Sequence, residues 1–409
     1  MRILFLSNFY PPARPGGYAQ WCHEVAEGLA DRGHDISVLT SRHQADRAAP
    51  DPQIRRRLHL DGDLLHYRPL HFFTRRKRER RENRRFLQSA IEDYRPEVAF
   101  IWGLWAMSPW MAAWAEASMP GRVVYYLSDY WPAGGDFHHS YWGLPARRSV
   151  MQMPKRIVNR LAQAALAREG SPDLKFEHAI CVSEAVKKIL IEKHVPVEKA
   201  AVIHGGSDLK RFLSADATRT HNGGVALLYA GQLVPHKGVH TAIEGVSRLV
   251  HDQGVRDVHL TVVGAGPPAY ERELHELVEA RGVDRFVRFQ GPADKSDMPA
   301  IFASHDILIF PSIYEEPLAR VTQEAMASGM TVVGTTTGGT GEILEEGRTG
   351  LTFPAGDAGQ LARQLGRLIH SPELGARLGQ AGREVVSRHF TLDRMVDEIE
   401  AYLTSVVAA

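Results

Sequence analysis

Two glutamates, Glu316 and Glu324, stand with seven residues between them in the segment PSIYEEPLARVTQEAMASGMTVVG. The apolar run HDILIFPS (305–312) precedes them and reads as a buried strand ending at Pro311. From Arg320 the pattern turns helical, with Val321, Ala325 and Ser328 recurring at about one turn. Glu316 then falls in the loop at the carboxyl end of a strand, and Glu324 about one turn into the following helix. Ligands of open α/β sheets bind at that edge. The first turn of a helix has unpaired donors and a positive dipole end, so backbone N–H groups at 317–320 would face an anion. A phosphate held by backbone, with a carboxylate on either side accepting from sugar hydroxyls, describes a nucleotide-sugar site. For the pair alone, solvated charges at a helix start are an equally good reading.

Other segments could join this chemistry. Lys237, in GQLVPHKG (231–238), lies between a strand and a helix and could neutralise a diphosphate leaving group. Gly16-Gly17 opens the first helix, where glycine permits close backbone approach to a phosphate or sugar. GAGPPA (264–269) loosely matches a dinucleotide fingerprint, but two prolines fill its variable positions. Asp284 lies before the next strand, where it could not reach a ribose, so a nicotinamide enzyme is disfavoured. The one Asp-x-Asp, DGD (61–63), reads as a turn. DFHHSYW (136–142) lacks zinc-ligand spacing. Most tryptophans of the first half suit core packing, but Trp105 and Trp131, in loops after strands, could line an acceptor site.

The elements that must position these residues alternate along the chain. Strands are expected at ILFLSN, 35–40, 98–102, 123–128 and 179–183, then at 225–231, 258–264, 287–291, 306–310, 331–335 and 350–353. Helices lie between them, and a final one starts after Thr391. Apolar strands buried on both faces and separated by helices mean parallel sheets, and 409 residues suit two α/β domains. The expected domains are residues 1–205 and 206–388, with a C-terminal helix at 389–409 packing back toward the first. The uncharged stretch 98–115 reads as a strand, a loop and a helix capped by Ser108 with Pro109 first, in preference to a membrane span. Two cysteines and a start without signal-peptide character fit a reducing cytosol.

The net charge of +1 is unevenly spread. Residues 1–205 hold 30 Lys+Arg and 22 Asp+Glu (+8); the rest hold 19 and 26 (−7). Arg75–Arg85 alone carries eight cations and two anions. Lipid phosphate, nucleic acid or plain solvent are its candidate partners.

Five motifs in order resemble the retaining glycosyltransferases of family 4, the group 1 enzymes of GT-B fold. They are GG with LADRGHDISVLT (29–40), VIHGGSDLKRF (202–212), LLYAGQLVPHKG (227–238), VVGAGP and EEPLARVTQEAMASG (315–329). The resemblance implies two Rossmann-like, doubly wound parallel-sheet domains facing a cleft. It implies metal-independent transfer of a hexose-type sugar, with retention, from a nucleoside diphosphate to an acceptor hydroxyl, needing no cofactor beyond the donor. A UDP-sugar is favoured over a GDP-sugar. Glu316 would contact the donor sugar, Lys237 and the backbone of Pro317, Leu318 and Ala319 the diphosphate, and Glu324 the ribose. Gly16 and Gly17 would approach the donor from the other domain, and backbone near Gly264 and Gly266 would meet the base. Two positions depart from the family pattern. Gln232 replaces the usual arginine, a cation Arg320 could supply. Ser128-Asp129 replaces His-Asp, which leaves Asp129 to orient the acceptor beside Ser128, Trp105 and Trp131. The basic stretch 75–85 suggests a glycan or lipid-linked acceptor at an anionic membrane, in cell-surface polysaccharide or glycolipid synthesis, and no nucleic acid. The enzyme would be cytoplasmic, or peripheral on the inner membrane face. The alternative is an inactive membrane-associated scaffold on the same fold.

Overall fold

The computed structural model describes residues 1–13, 17–61, 69–134, 138, 141–142, 152–214 and 224–409, with backbone only for 152–157. The chain divides into two compact units. The first comprises residues 1–182, 186–203 and 396–409; the second comprises 183–185 and 204–395.

The first unit is built on seven strands: β1 (Arg2–Ser7), β2 (Asp35–Ser41), β3 (Ile54–Leu58), β4 (Val98–Ile101), β5 (Val123–Leu127), β6 (His178–Cys181) and β7 (Ala201–Val202). Their order is β3-β2-β1-β4-β5-β6-β7, every pairing parallel. The central strands are covered on both faces, hence their unbroken apolar runs: β4 and β5 are buried throughout. Strand β3, IRRRL, carries three arginines, which suits an edge. The last helix, Leu392–Ala408, enters this unit from Val396 onward. A Cβ on Gly28 would stand 3.0 Å from Val396 Cγ2. Arg122 donates to the Val406 carbonyl at 3.0 Å, and His34 Nε2 lies 2.8 Å from Glu400.

The basic stretch forms the start of the helix Arg76–Tyr94. The structure divides it. Arg76 is buried and makes a bidentate pair with Glu169 at 2.5 and 2.7 Å; Arg80 joins the same carboxylate at 2.8 Å. Arg75, Lys77, Arg78, Arg81, Arg84 and Arg85 are exposed. Of DGD only Asp61 is described, 3.7 Å from Arg80, and of the His-rich segment only His138, Tyr141 and Trp142; the remaining residues of both lie outside the described set. The stretch 98–115 is β4, a loop and the helix Trp110–Ser118. Pro109 sits one place before that helix, and the Ser108 hydroxyl makes no capping bond. Among the described residues no helix is long and apolar enough to cross a membrane.

The second unit holds β8 (Val225–Ala230), β9 (Val258–Val263), β10 (Val287–Gly291), β11 (Ile307–Phe310), β12 (Thr331–Gly334) and β13 (Gly350–Thr352), all parallel in the order β10-β9-β8-β11-β12-β13. Its core joins the inward faces of these strands to the helices Val239–His251 and Ala358–His370. The segment 204–207 is tied to the helix Arg320–Ala327. Ser207 donates to Gln323 at 2.6 Å, and Gln323 Nε2 donates to the Gly205 carbonyl at 2.8 Å.

Each sheet has one place where the winding reverses: between β1 and β4 in the first unit, and between β8 and β11 in the second. Loops leaving such a pair diverge and open a crevice at the strands' carboxyl ends. GQLVPHKG follows β8 and SIYEEPLA follows β11, so both segments leave the switch point of the second sheet. The GAGP loop packs here, backbone against backbone. Leu233 N donates to the Ala265 carbonyl at 2.9 Å, and a Cβ on Gly264 or Gly266 would stand 1.8 Å from the carbonyl oxygen of Gly231 or Leu233. Those glycines therefore serve this loop contact, which accounts for the failed dinucleotide fingerprint.

Candidate functional site

Glu316 lies in the loop between β11 and the helix Arg320–Ala327, and is only 7% exposed. Its Oε1 accepts from Lys237 Nζ at 2.6 Å and from Ser312 Oγ at 2.6 Å. Its backbone carbonyl accepts from Gly339 N at 2.7 Å, and Glu315 accepts from Gly338 N at 2.7 Å. Gly338 has φ +58°, and a Cβ there would stand 2.2 Å from the Glu316 carbonyl oxygen, so the TGG segment closes tightly over the glutamate. Lys237 ends a 3-10 turn, Pro235–Lys237, whose exit is Gly238 at φ +69°. The turn is held to the β11 loop by Ile313 N donating to the His236 carbonyl at 3.0 Å. Burial, then the Lys237 charge, pushes the His236 imidazole below its ordinary value. A lysine and a carboxylate from loops of neighbouring strands thus meet across the switch point.

The helix Arg320–Ala327 begins without a side-chain cap. Pro317 has no N–H, so it cannot donate to an anion; this corrects the expectation of donors at 317–320. Its carbonyl accepts from Ser183 Oγ at 2.7 Å. The N–H groups of Leu318 and Ala319, both buried residues, donate to nothing among the described residues. Buried N–H groups without partners are rare and costly; here they precede a helix start, an arrangement that favours negative charge. Glu324 sits in the second turn, its Oε1 4.0 Å from Arg320 Nε, both side chains largely buried. Arg320 thus lies beside Glu324. Gln232 uses its carbonyl to accept from the Tyr229 hydroxyl at 2.8 Å. Gly264 and Gly266 complete this wall, and Glu271 caps it by accepting from Gly266 N at 2.6 Å.

The first unit collects a separate group of polar residues at the carboxyl ends of β1, β4 and β5. Asp129 follows β5, and its Oδ1 accepts from Trp131 N at 2.8 Å. The carboxylate keeps some surface, yet burial raises it to about 6 against the single backbone hydrogen bond that lowers it. Ser128, buried, has a hydroxyl without a partner among the described residues, and the Tyr18 hydroxyl is pushed well above its usual value by burial and then by the Asp129 charge, against an Asn8 hydrogen bond that lowers it. Asn8, after β1, donates to the Trp105 carbonyl at 2.6 Å; Trp105 itself is 43% exposed. Gly17 begins the first helix and is exposed; Gly16 lies outside the described residues. Trp131 is buried, its ring 6.4 Å from Tyr125 and 6.1 Å from Phe176, whereas Trp105 offers its face to solvent.

Sequence reasoning did not single out Ser312, the Gly338-Gly339 clasp, Tyr18 or Asn8. Ser312 had a local signal, since a hydroxyl four residues before a buried glutamate can reach it. The others depend on contacts made only by the fold.

Two Rossmann-like parallel-sheet units of this topology constitute the GT-B fold. A family model for glycosyl transferases group 1 matches residues 215–385, and one for Glycosyltransferase Family 4 matches residues 15–211. The chain belongs to this group 1, family 4 glycosyltransferase family. The D-inositol 3-phosphate glycosyltransferase of Streptomyces scabiei is 27% identical over 298 residues, 66% of this chain and 65% of that protein's length. Glycogen synthase of Mycobacterium tuberculosis is 27% identical over 415 residues, 95% of this chain and 91% of the synthase. Among solved structures, Anabaena HepE in complex with UDP matches with TM-score 0.71 at 21% identity, over 99% of this chain and 100% of that one. Sucrose-phosphate synthase of Thermosynechococcus elongatus matches with TM-score 0.73 at 19% identity, over all of both chains.

The raised Asp129 carboxyl has a signed consequence. Between the ordinary value near 4 and about 6, the folded chain keeps a proton that the unfolded chain has released, so stability falls as pH rises through that window. Asn in its place can still accept from Trp131 N without the charge. Asp129→Asn should therefore stabilise the protein by roughly 1–3 kcal/mol at pH 8 in urea unfolding, with the gain vanishing near pH 4. A loss at pH 8, or a gain independent of pH, would contradict the assignment.

Proposed function

We propose that the second unit binds the nucleoside diphosphate of a nucleotide sugar, and that the protein transfers the sugar to an acceptor hydroxyl presented by the first. The observation that carries this reading is the meeting of Lys237, Glu316 and Ser312 beside the unpaired N–H groups of Leu318 and Ala319. Lysine and amides gather around one anion, and Glu324 lies a turn further on to accept from ribose hydroxyls. The family membership and the names of the relatives point the same way. A UDP-sugar is the first donor to test, a GDP-sugar the second; Anabaena HepE was solved with UDP-glucose.

The chemistry follows from charge. As the glycosidic bond to phosphate breaks, negative charge grows on the diphosphate. Donors already fixed in place stabilise it without reorganisation. Lys237 would exchange part of its contact with Glu316 for the phosphate, and Glu316 would turn toward hydroxyls of the sugar. Arg320 or the amides would make up for the cation missing at Gln232. Asp129, ionised above about pH 6, orients the acceptor hydroxyl by accepting its proton in a hydrogen bond. The reaction proceeds with retention by attack on the face the diphosphate leaves, a departing phosphate oxygen taking the acceptor proton, and it needs no metal. The acceptor is a glycan or a lipid-linked glycan, and the protein works at the inner face of a membrane, to which the exposed cations of the helix Arg76–Tyr94 attach it.

Two measurements test this. Release of free sugar or transfer from UDP-glucose and a panel of other nucleotide sugars should fall about a hundredfold or more in Glu316→Gln, the scale of a lost transition-state contact, with nucleotide affinity changed only a few-fold. Equal turnover in the variant rejects Glu316 as a catalytic residue; no turnover in the wild type with any donor favours the scaffold. Replacing Arg78, Arg81, Arg84 and Arg85 together by glutamine should abolish sedimentation with vesicles containing phosphatidylglycerol at about 0.1 M salt. Unchanged sedimentation removes the membrane surface from the proposal.

A further inference from the structure

The first unit contains a cavity of about 330 Å³ that the residues discussed above do not explain. It is bounded by the turn Trp131–Ala133, by the end of the helix Gln152–Glu169 with the loop that follows it, and by residues 193–196. Its volume is that of a small-molecule site.

Four observations about its walls point the same way. First, Trp131, only 7% exposed, forms part of the wall as a rigid aromatic surface. Second, two of the five non-glycine residues with positive φ among the described residues, Phe176 at 45° and His194 at 61°, line this one cavity. Such backbone is costly for bulky side chains and persists only where surroundings enforce it. At Phe176 the enforcement is visible: the Glu116 carboxylate accepts from the N–H groups of Lys175 and Phe176 at 3.2 and 3.3 Å. Third, the wall charges cancel, Arg80 and Lys193 against Glu169 and Asp173. Glu169 is already held by Arg76 and Arg80, whereas the exposed Asp173 side chain at the rim makes no hydrogen bond or ion pair with the described residues. Fourth, the remaining walls include the flat surfaces of Trp110, Trp131 and Phe176.

We infer that this cavity is a binding site for a neutral pyranose glycan, separate from the nucleotide site of the second unit. An anion would meet as much negative as positive charge, and a hydrocarbon would strand the polar rim. A sugar ring offers an apolar C–H face to the aromatic walls and hydroxyl protons to Asp173. The inference goes beyond the transferase reading and does not require it.

The test is calorimetric titration of the full-length protein with neutral trisaccharides of glucose, mannose and galactose, in parallel with UDP. The expected result is binding of at least one trisaccharide in the wild type. That binding should weaken about tenfold in Asp173→Ala, as for a lost hydrogen bond to a charged group, and in Trp110→Ala, with UDP affinity unchanged. Asp173 is exposed, so its variant should fold. His194→Gly relieves the backbone strain and should raise the unfolding temperature, which checks the rim's conformation independently. Binding of no trisaccharide, or binding indifferent to both alanine variants, overturns the inference. Loss of UDP binding in the wild type with glycan binding intact would instead count against the nucleotide site alone.

Discussion

The contact between Lys237 and Glu316 is the point on which the second unit turns. It is possible because the winding of the sheet reverses between β8 and β11, so that the loops after these adjacent strands part at the same edge. The glutamate is buried and would be costly there without partners; Lys237 and Ser312 supply them. The surrounding loops are shaped to keep the pair in place. Gly338 and Gly339 close over the Glu316 carbonyl, and Gly238 turns the chain beneath Pro311, where a Cβ would stand 1.9 Å from its oxygen. One consequence is a helix whose entry is left without a cap and whose preceding amides remain unpaired.

The first unit shows the same topology with different chemistry. At the carboxyl ends of β1, β4 and β5 the described residues include no paired lysine and glutamate, but a partly buried aspartate, the Ser128 and Tyr18 hydroxyls and an exposed tryptophan. Asp129 is held near neutrality by burial, so its protonation responds to the pH range in which proteins work. In the proposed reading the first suits hydroxyl groups and the second phosphate. The division follows from side chains alone, since both sheets have the same doubly wound, all-parallel design.

Most of the fold was legible because strands buried on both faces must be apolar throughout. ILFLS, VAFI, VVYYL, VALLYA and ILIF could hardly be anything else. Strand β3 was missed because three of its five residues are arginine, acceptable only at an edge whose position the sequence does not state. Strand β7 has two residues, too few for any period. The spacing of Glu316 and Glu324 correctly placed one in a loop and one in a helix. It also led to counting Pro317 among the donors, an error of chemistry that the residue's identity alone could have prevented. The basic run read as a single cationic face because sequence cannot tell Arg76, buried against Glu169 ninety-three residues away, from its exposed neighbours. Partners brought together only by folding, such as Ser183 with Pro317 or Tyr18 with the Asp129 charge, left no local trace.

The claim that Lys237 and the amides before the helix Arg320–Ala327 form a diphosphate site is tested most directly by calorimetry with UDP, GDP and ADP beside their nucleosides. One diphosphate should bind at least about tenfold more tightly than its own nucleoside, and Lys237→Ala should remove most of that difference while leaving nucleoside affinity unchanged. Equal affinity for diphosphate and nucleoside, or a difference that survives the loss of Lys237, would contradict the account.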